Sequence, residues 1–215
     1  MFLNIIFSII FIVSVYSIIQ YRQNLRVAAS RSKDALFPKD QTEMDGILIP
    51  PEWKRMEPLS KHTRSYQHVK WATIIALVLL TVLLTFALTT DILHSSFLSF
   101  AYLFFTFIKF IKHKGNLYIL SDGLILNGKF YSIYQIKYFE TEQIIRWHEL
   151  YGLDNRLNNR YKLSFTIKHQ LTSPFFVIES EDQLNRIVSI LSEHGISRSV
   201  DNDPSKVTSE QLHNN

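Results

Sequence analysis

Trp147-His148-Glu149 sets an imidazole beside a carboxylate, the two side chains most used in general acid–base catalysis. Glu140 and Glu142, two residues apart, would share one face of a strand and could form a carboxylate pair. If 147–149 is also strand, however, neighbouring side chains point to opposite faces, and His148 and Glu149 diverge. The eight histidines are His62, His68, His94, His113, His148, His169, His194 and His213, and no H-x-x-x-H or H-E-x-x-H pair joins any two. A zinc site therefore lacks its usual spacing. The chain has no cysteine, which excludes disulfides, thiolate metal sites and a thiol nucleophile. A glycine-rich phosphate loop and a G-x-S-x-G elbow are also missing. The sequence thus assigns no catalytic residue, no cofactor-binding residue, no metal ligand and no cofactor, and it reads as a non-enzyme.

The elements that would position these residues begin with three apolar runs. The first spans Phe2 to about Ile19, with no Lys or Arg before Arg22. It suits a retained anchor over residues 1–20 better than a cleaved signal or a buried soluble helix, because a basic start and a cleavage site are lacking. The other two form a hairpin over 71–112, broken by a polar knot from Thr89 to Ser96. Each arm is about 20 residues long, enough to cross a bilayer as a helix. Residues 21–70 hold ten Lys or Arg against six carboxylates, and read as a basic loop interrupted by Pro38, Pro50, Pro51 and Pro58.

Charge placement gives the orientation. Lys61, Arg64 and Lys70 precede the hairpin and Lys109, Lys112 and Lys114 follow it, whereas its knot carries Asp91 and no basic residue. The positive-inside rule then puts the flanks in the cytoplasm, the knot and the N-terminus outside, and the protein in the cell (plasma) membrane as a multi-pass chain. No Asp, Glu, Lys or Arg falls at mid-membrane depth, which disfavours an ion or proton path. Thr81, Thr85 and Thr89 form a small polar ridge expected to pack helices together.

Beyond Gly115 the period shortens to that of strands. Strands are predicted near 117–121, 124–126, 129–132 and 134–140, with turns at Asp122-Gly123 and Asn127-Gly128. EQIIRWHELYG reads as another strand, with a short helix as the alternative; RYKLSFTIKH and FFVIE are further strands. Ser180-Glu181-Asp182-Gln183 matches a capping box ahead of a helix to His194, with Leu184, Ile187, Val188 and Leu191 on one face and Gly195 as its stop. Residues 196–215 read as a disordered tail.

The run LYILSDGLILNGKFYSIYQIKYFE, followed by YKLSFTIK, FFVIE and the helix ending ILSEHG, resembles bacterial pleckstrin-homology-like domains. The order of segments likewise resembles that of small multi-span bacterial membrane proteins of unknown function. The resemblance covers about 116–195 and implies a bent antiparallel sheet closed by one C-terminal helix, serving binding rather than catalysis. The expected fold is therefore three transmembrane helices plus a small α+β cytoplasmic domain. Its expected partners are the lipid bilayer, in which it is integral, and a protein partner or a second copy; nucleic acid is not among them. The expected role is a binding or regulatory domain on a membrane anchor, the alternative being an accessory subunit of a transporter or envelope complex.

Overall fold

Two bodies make up the chain: residues 1–31 with 59–113, and residues 32–58 with 114–215. A computed structural model describes residues 2–89, 102, 106 and 115–199. The described helices are α1 (Phe2–Arg31), α2 (Gln41–Asp45), α3 (Arg64–Thr89) and α4 (Glu181–Glu193). The strands are β1 (Ile47–Ile49), β2 (Lys54–Arg55), β3 (Leu117–Leu120), β4 (Gly123–Leu126), β5 (Lys129–Ser132), β6 (Ile136–Gln143), β7 (Tyr161–Ile167) and β8 (Phe175–Ile178).

In the first body α1 packs on α3. The buried positions include Phe7, Ser14, Ile18, Leu25, Ala28 and Ala29 on α1, and Val69, Thr73, Ala76 and Leu80 on α3. Steps of three, four and seven residues make a narrow seam, the pattern of two helices lying side by side. Ser14 and Thr73 are satisfied inside it, their hydroxyls donating to Ile10 O and Val69 O at 2.7 Å. Away from the seam, Ile9, Ile12, Val13, Ile75, Val78 and Val82 remain exposed. Both helices are long and apolar enough to cross a membrane, and two of the three expected spans are thus described. The third, the second arm of the hairpin over 91–111, lies outside the described residues apart from Tyr102 and Thr106. The threonine ridge lies off the α1–α3 seam: Thr81, Thr85 and Thr89 are exposed, and each hydroxyl donates to the carbonyl four residues back.

The second body is α+β and antiparallel throughout its described ladders. A three-stranded sheet has the order β3-β4-β5, and a five-stranded sheet has the order β2-β1-β8-β7-β6. Asn127 and Gly128 both adopt positive φ (51° and 76°) in the β4–β5 turn, the conformation an Asn-Gly hairpin supplies. A 3-10 turn over Ile133–Gln135 carries the chain from one sheet to the other. Leu163, Phe165 and Ile167 of β7 and Phe176 to Ile178 of β8 are buried, and α4 lays Leu184, Ile187 and Leu191 into the core beside β8. Gly195, at φ 77°, turns the chain out of α4.

Three expectations need correction. Residues 32–58, read as part of a loose loop, are instead built into the domain. Phe37 bridges Ile119 at the edge of β3, and β1 pairs with β8 through Ile47↔Ile178 and Leu48↔Val177. Residues 144–160 are neither strand nor helix but a loop of successive turns. The capping box at Ser180 does not form: Ser180 makes no side-chain cap bond, and Gln183 Nε2 donates to Glu43 O at 2.5 Å. Gly46 allows that reach, since a Cβ there would collide with the Gln183 amide. The expected tail falls outside the described residues from 200 onward; before it, Ser197 and Ser199 pair with Phe139 along the edge of β6.

Candidate interaction site

The loop over 144–160 is fixed to the five-stranded sheet from two directions. Ile144, Leu150 and Leu157 point inward and form one buried cluster with Leu48 and Val177, against which Trp53 and Phe175 also pack. Backbone bonds tie both ends, with Ile144 N–H donating to Arg160 O at 2.7 Å and Asn159 N–H to Ile144 O at 2.9 Å. Burial of three aliphatic side chains of this size contributes on the order of 1.5–3 kcal/mol each. That is enough to hold a loop with no regular structure in one conformation.

The second anchor is polar and involves the residues singled out in the sequence. His148 Nε2 lies 3.0 Å from Glu142 Oε2, and Nδ1 accepts the Leu150 N–H at 3.0 Å. A backbone N–H can only donate, so Nδ1 carries no proton and Nε2–H is the donor to Glu142. Both ring nitrogens are engaged, and the imidazole side chain is only 9% exposed. Lys162 Nζ spans Glu142 (3.4 Å) and Glu149 (3.2 Å) and sits 5.6 Å from the Phe175 ring centroid. Thus His148 does not converge with its neighbour Glu149; each reaches a different partner on the sheet. Nor do Glu140 and Glu142 pair, because Glu140 instead takes a long 3.5 Å contact from Ser164 Oγ.

The other described histidines stay apart. His169 occupies a turn with φ 60°, and His194 caps α4 with Nδ1 2.8 Å from Ile190 O. Among the described residues no three His, Asp or Glu side chains gather as a metal site. Arg156 closes the far part of the loop, its guanidinium and its N–H both bonding Asp154. Those bonds, the side-chain one first, hold the Asp154 carboxyl down to about 2.

Outward, the same loop presents Ile145, Trp147 and Leu153, with Trp147 88% exposed. An indole held out by a pinned loop is the kind of side chain that dominates protein interfaces. The sequence suggested catalysis for this stretch and not that its apolar side chains face outward; the signal was the density of Ile, Trp, Tyr and Leu among turn residues. A separate groove of about 470 Å3 lies between α2, β2 and the first turn of α4. Glu43 crosses it, accepting from Lys39 N–H at 2.7 Å and pairing with Arg186. The groove therefore includes an internal tie between α2 and α4.

Among the described residues these features define two apolar helices and an α+β domain carrying a pinned aromatic loop. No protein-family model, curated protein or solved structure matches it.

Proposed function

We propose that the chain is a multi-pass membrane protein presenting its α+β domain in the cytoplasm as a non-catalytic binding module, with the 144–160 loop as its contact for a protein partner. The observation that carries this reading is Trp147, 88% exposed on a loop whose other side is locked to the sheet. The occupied ring nitrogens of His148 support a structural role for the one candidate acid–base residue. The exposed apolar faces of α1 and α3 support membrane insertion, since soluble proteins rarely leave such continuous apolar surface in water. The basic flanks of the hairpin support a cytoplasmic domain. An antiparallel two-sheet body followed by one helix supports the pleckstrin-homology-like reading in a bacterial membrane protein.

The test is a photo-crosslinking residue placed at 147 in the full chain within native membranes, against one at 185 on α4. A discrete protein adduct from 147 alone, weakened by His148→Ala, is the expected result. Equal adducts from both positions, or none from 147, would reject the loop as the contact. The accessory-subunit alternative draws on the Thr81/Thr85/Thr89 face, which lies off the α1–α3 seam. Replacing those three with Leu would then release a co-purifying membrane protein without disturbing crosslinks from 147.

A further inference from the structure

The turn joining β7 to β8 and the 3-10 turn ahead of β6 share one end of the five-stranded sheet. They are stitched together there: Lys168 N–H donates to Gln135 O at 2.8 Å, and Gln170 Nε2 donates to the Tyr131 hydroxyl at 2.6 Å. From this end two apolar side chains project into solvent, Leu171 with its whole surface exposed and Tyr134 with 86%. Single exposed apolar residues are ordinary. The charge around these two is not. Lys129, Lys137 and Lys168 are all exposed, and Lys129 Nζ lies 4.9 Å from the Tyr131 ring centroid. No Asp or Glu occurs in 123–139 or 161–178, and Asp122, whose carbonyl accepts the Ile133 N–H, borders the patch. The 144–160 loop differs, since its Glu149 and Asp154 are matched by Lys162 and Arg156.

Gly115 lies at the same end. β1 finishes at Ile49 where antiparallel β8 starts at Phe175. Gly115 packs so tightly on Ile49 that a Cβ would strike that side chain. In the sequence Ile111, Lys112, His113 and Lys114 directly precede Gly115.

We propose that this end of the domain, through Tyr134, Leu171 and the three lysines, docks on an anionic bilayer surface. The proposal rests on the membrane-protein reading above. A tyrosine settles at headgroup level, a leucine reaches the acyl boundary, and lysines gain from anionic lipid. Two apolar side chains and three cations would hold a free domain only weakly. A domain tethered to the same bilayer meets it at high effective concentration, and weak contacts then suffice. Each lysine contributes about fivefold to the ratio of docked to undocked domain.

The absence of native cysteine makes the test direct. Full-length Leu171→Cys, labelled with an environment-sensitive fluorophore, is reconstituted into phosphatidylcholine vesicles with and without phosphatidylglycerol; Asn185→Cys is the control. Flotation comes first: a chain that does not float with the vesicles defeats the membrane reading and takes this proposal with it. For a chain that floats, the expected result is a blue shift and iodide protection at 171 only with phosphatidylglycerol, reversed by Lys137→Ala with Lys168→Ala. A label at 171 that stays aqueous in both lipids overturns docking while leaving the anchor intact. A shift equal in both lipids, or one that grows with protein density, overturns it in favour of an uncharged contact or self-association.

Discussion

Leu48, in the segment between α1 and α3, pairs with Val177, in the last strand of the domain, across two antiparallel strands of one sheet. Between them in sequence lie α3 and the apolar run over 91–111. A single folded body occupies one side of a bilayer. If the helices span, the chain must therefore cross an even number of times between residues 58 and 115, and the run over 91–111 must return what α3 takes out. Without any charge rule, the pairing thus requires residues 32–58 and the strands after 115 to share one side of the bilayer, whichever side that is. Single cysteines replacing Lys39 and Asn185 should both be shielded from a membrane-impermeant maleimide in intact cells and labelled after permeabilisation. A cysteine at Ser95 should react in intact cells. Finding positions 39 and 185 on opposite sides would break the sheet pairing itself.

Leu48 is fully buried, so Leu48→Ala should cost about 2–5 kcal/mol, the range for truncating a large core aliphatic. Denaturant unfolding of the full chain in mild detergent reads the global loss. Hydrogen exchange should show β8 amides opening first, because β8 loses packing on its β1 side. Ile145→Ala removes a half-exposed side chain and should stay within about 0.5 kcal/mol. Equal losses from the two variants would show that β1 contributes nothing to the core.

Legibility followed the range of the interactions. Asn127-Gly128 and the alternation of Tyr161 to Ile167 were readable because turn chemistry and strand period are local. β1 was not readable: it is three residues long, it precedes a Pro-Pro pair, and its stabilising partner lies more than a hundred residues away. Residues 144–160 misled because Ile144, Leu150 and Leu157 are apolar for the sake of covering a sheet face, which imposes no strand or helix period. Ser180 to Gln183 fitted a capping box in spelling, but Gln183 finds the Glu43 carbonyl instead. The candidate site was legible in its residues and not in its purpose, since partners for His148 and Glu149 come from β6 and β7.

His148 should behave as a pin. His148→Ala strips the acceptor from the Leu150 N–H and the donor from Glu142, and an orphaned buried donor costs about 1–3 kcal/mol. The loss should be local, with faster amide exchange at Leu150 and little change in α4. Trp147→Ala, at an exposed position, should leave stability within about 0.5 kcal/mol while abolishing co-purification of the partner protein from native membranes. If Trp147→Ala unfolds the loop and His148→Ala does not, the inside and outside of this loop have been assigned the wrong way round.

The Asp154–Arg156 pair gives the loop an acid limit of its own. Hydrogen bonds from the Arg156 side chain and N–H lower the Asp154 carboxyl from an ordinary value of 3.8 to about 2. A depressed folded value means the folded loop binds its proton later than the unfolded chain does. The pair's contribution is therefore fully present above pH 3.8 and is lost as pH falls through about 2. Both side chains reach solvent, so the readout should be local rather than a shift in global unfolding. Carboxyl-detected NMR titration should find Asp154 still ionised at about pH 3, and Arg156→Ala should return its titration towards the ordinary range. An Asp154 that titrates near 3.8 in the native chain would mean that the Arg156 fork is not formed in solution. The turn carrying Leu153 would then be free to move, while the buried Ile144, Leu150 and Leu157 and the pins at His148 and Lys162 held the rest of the loop.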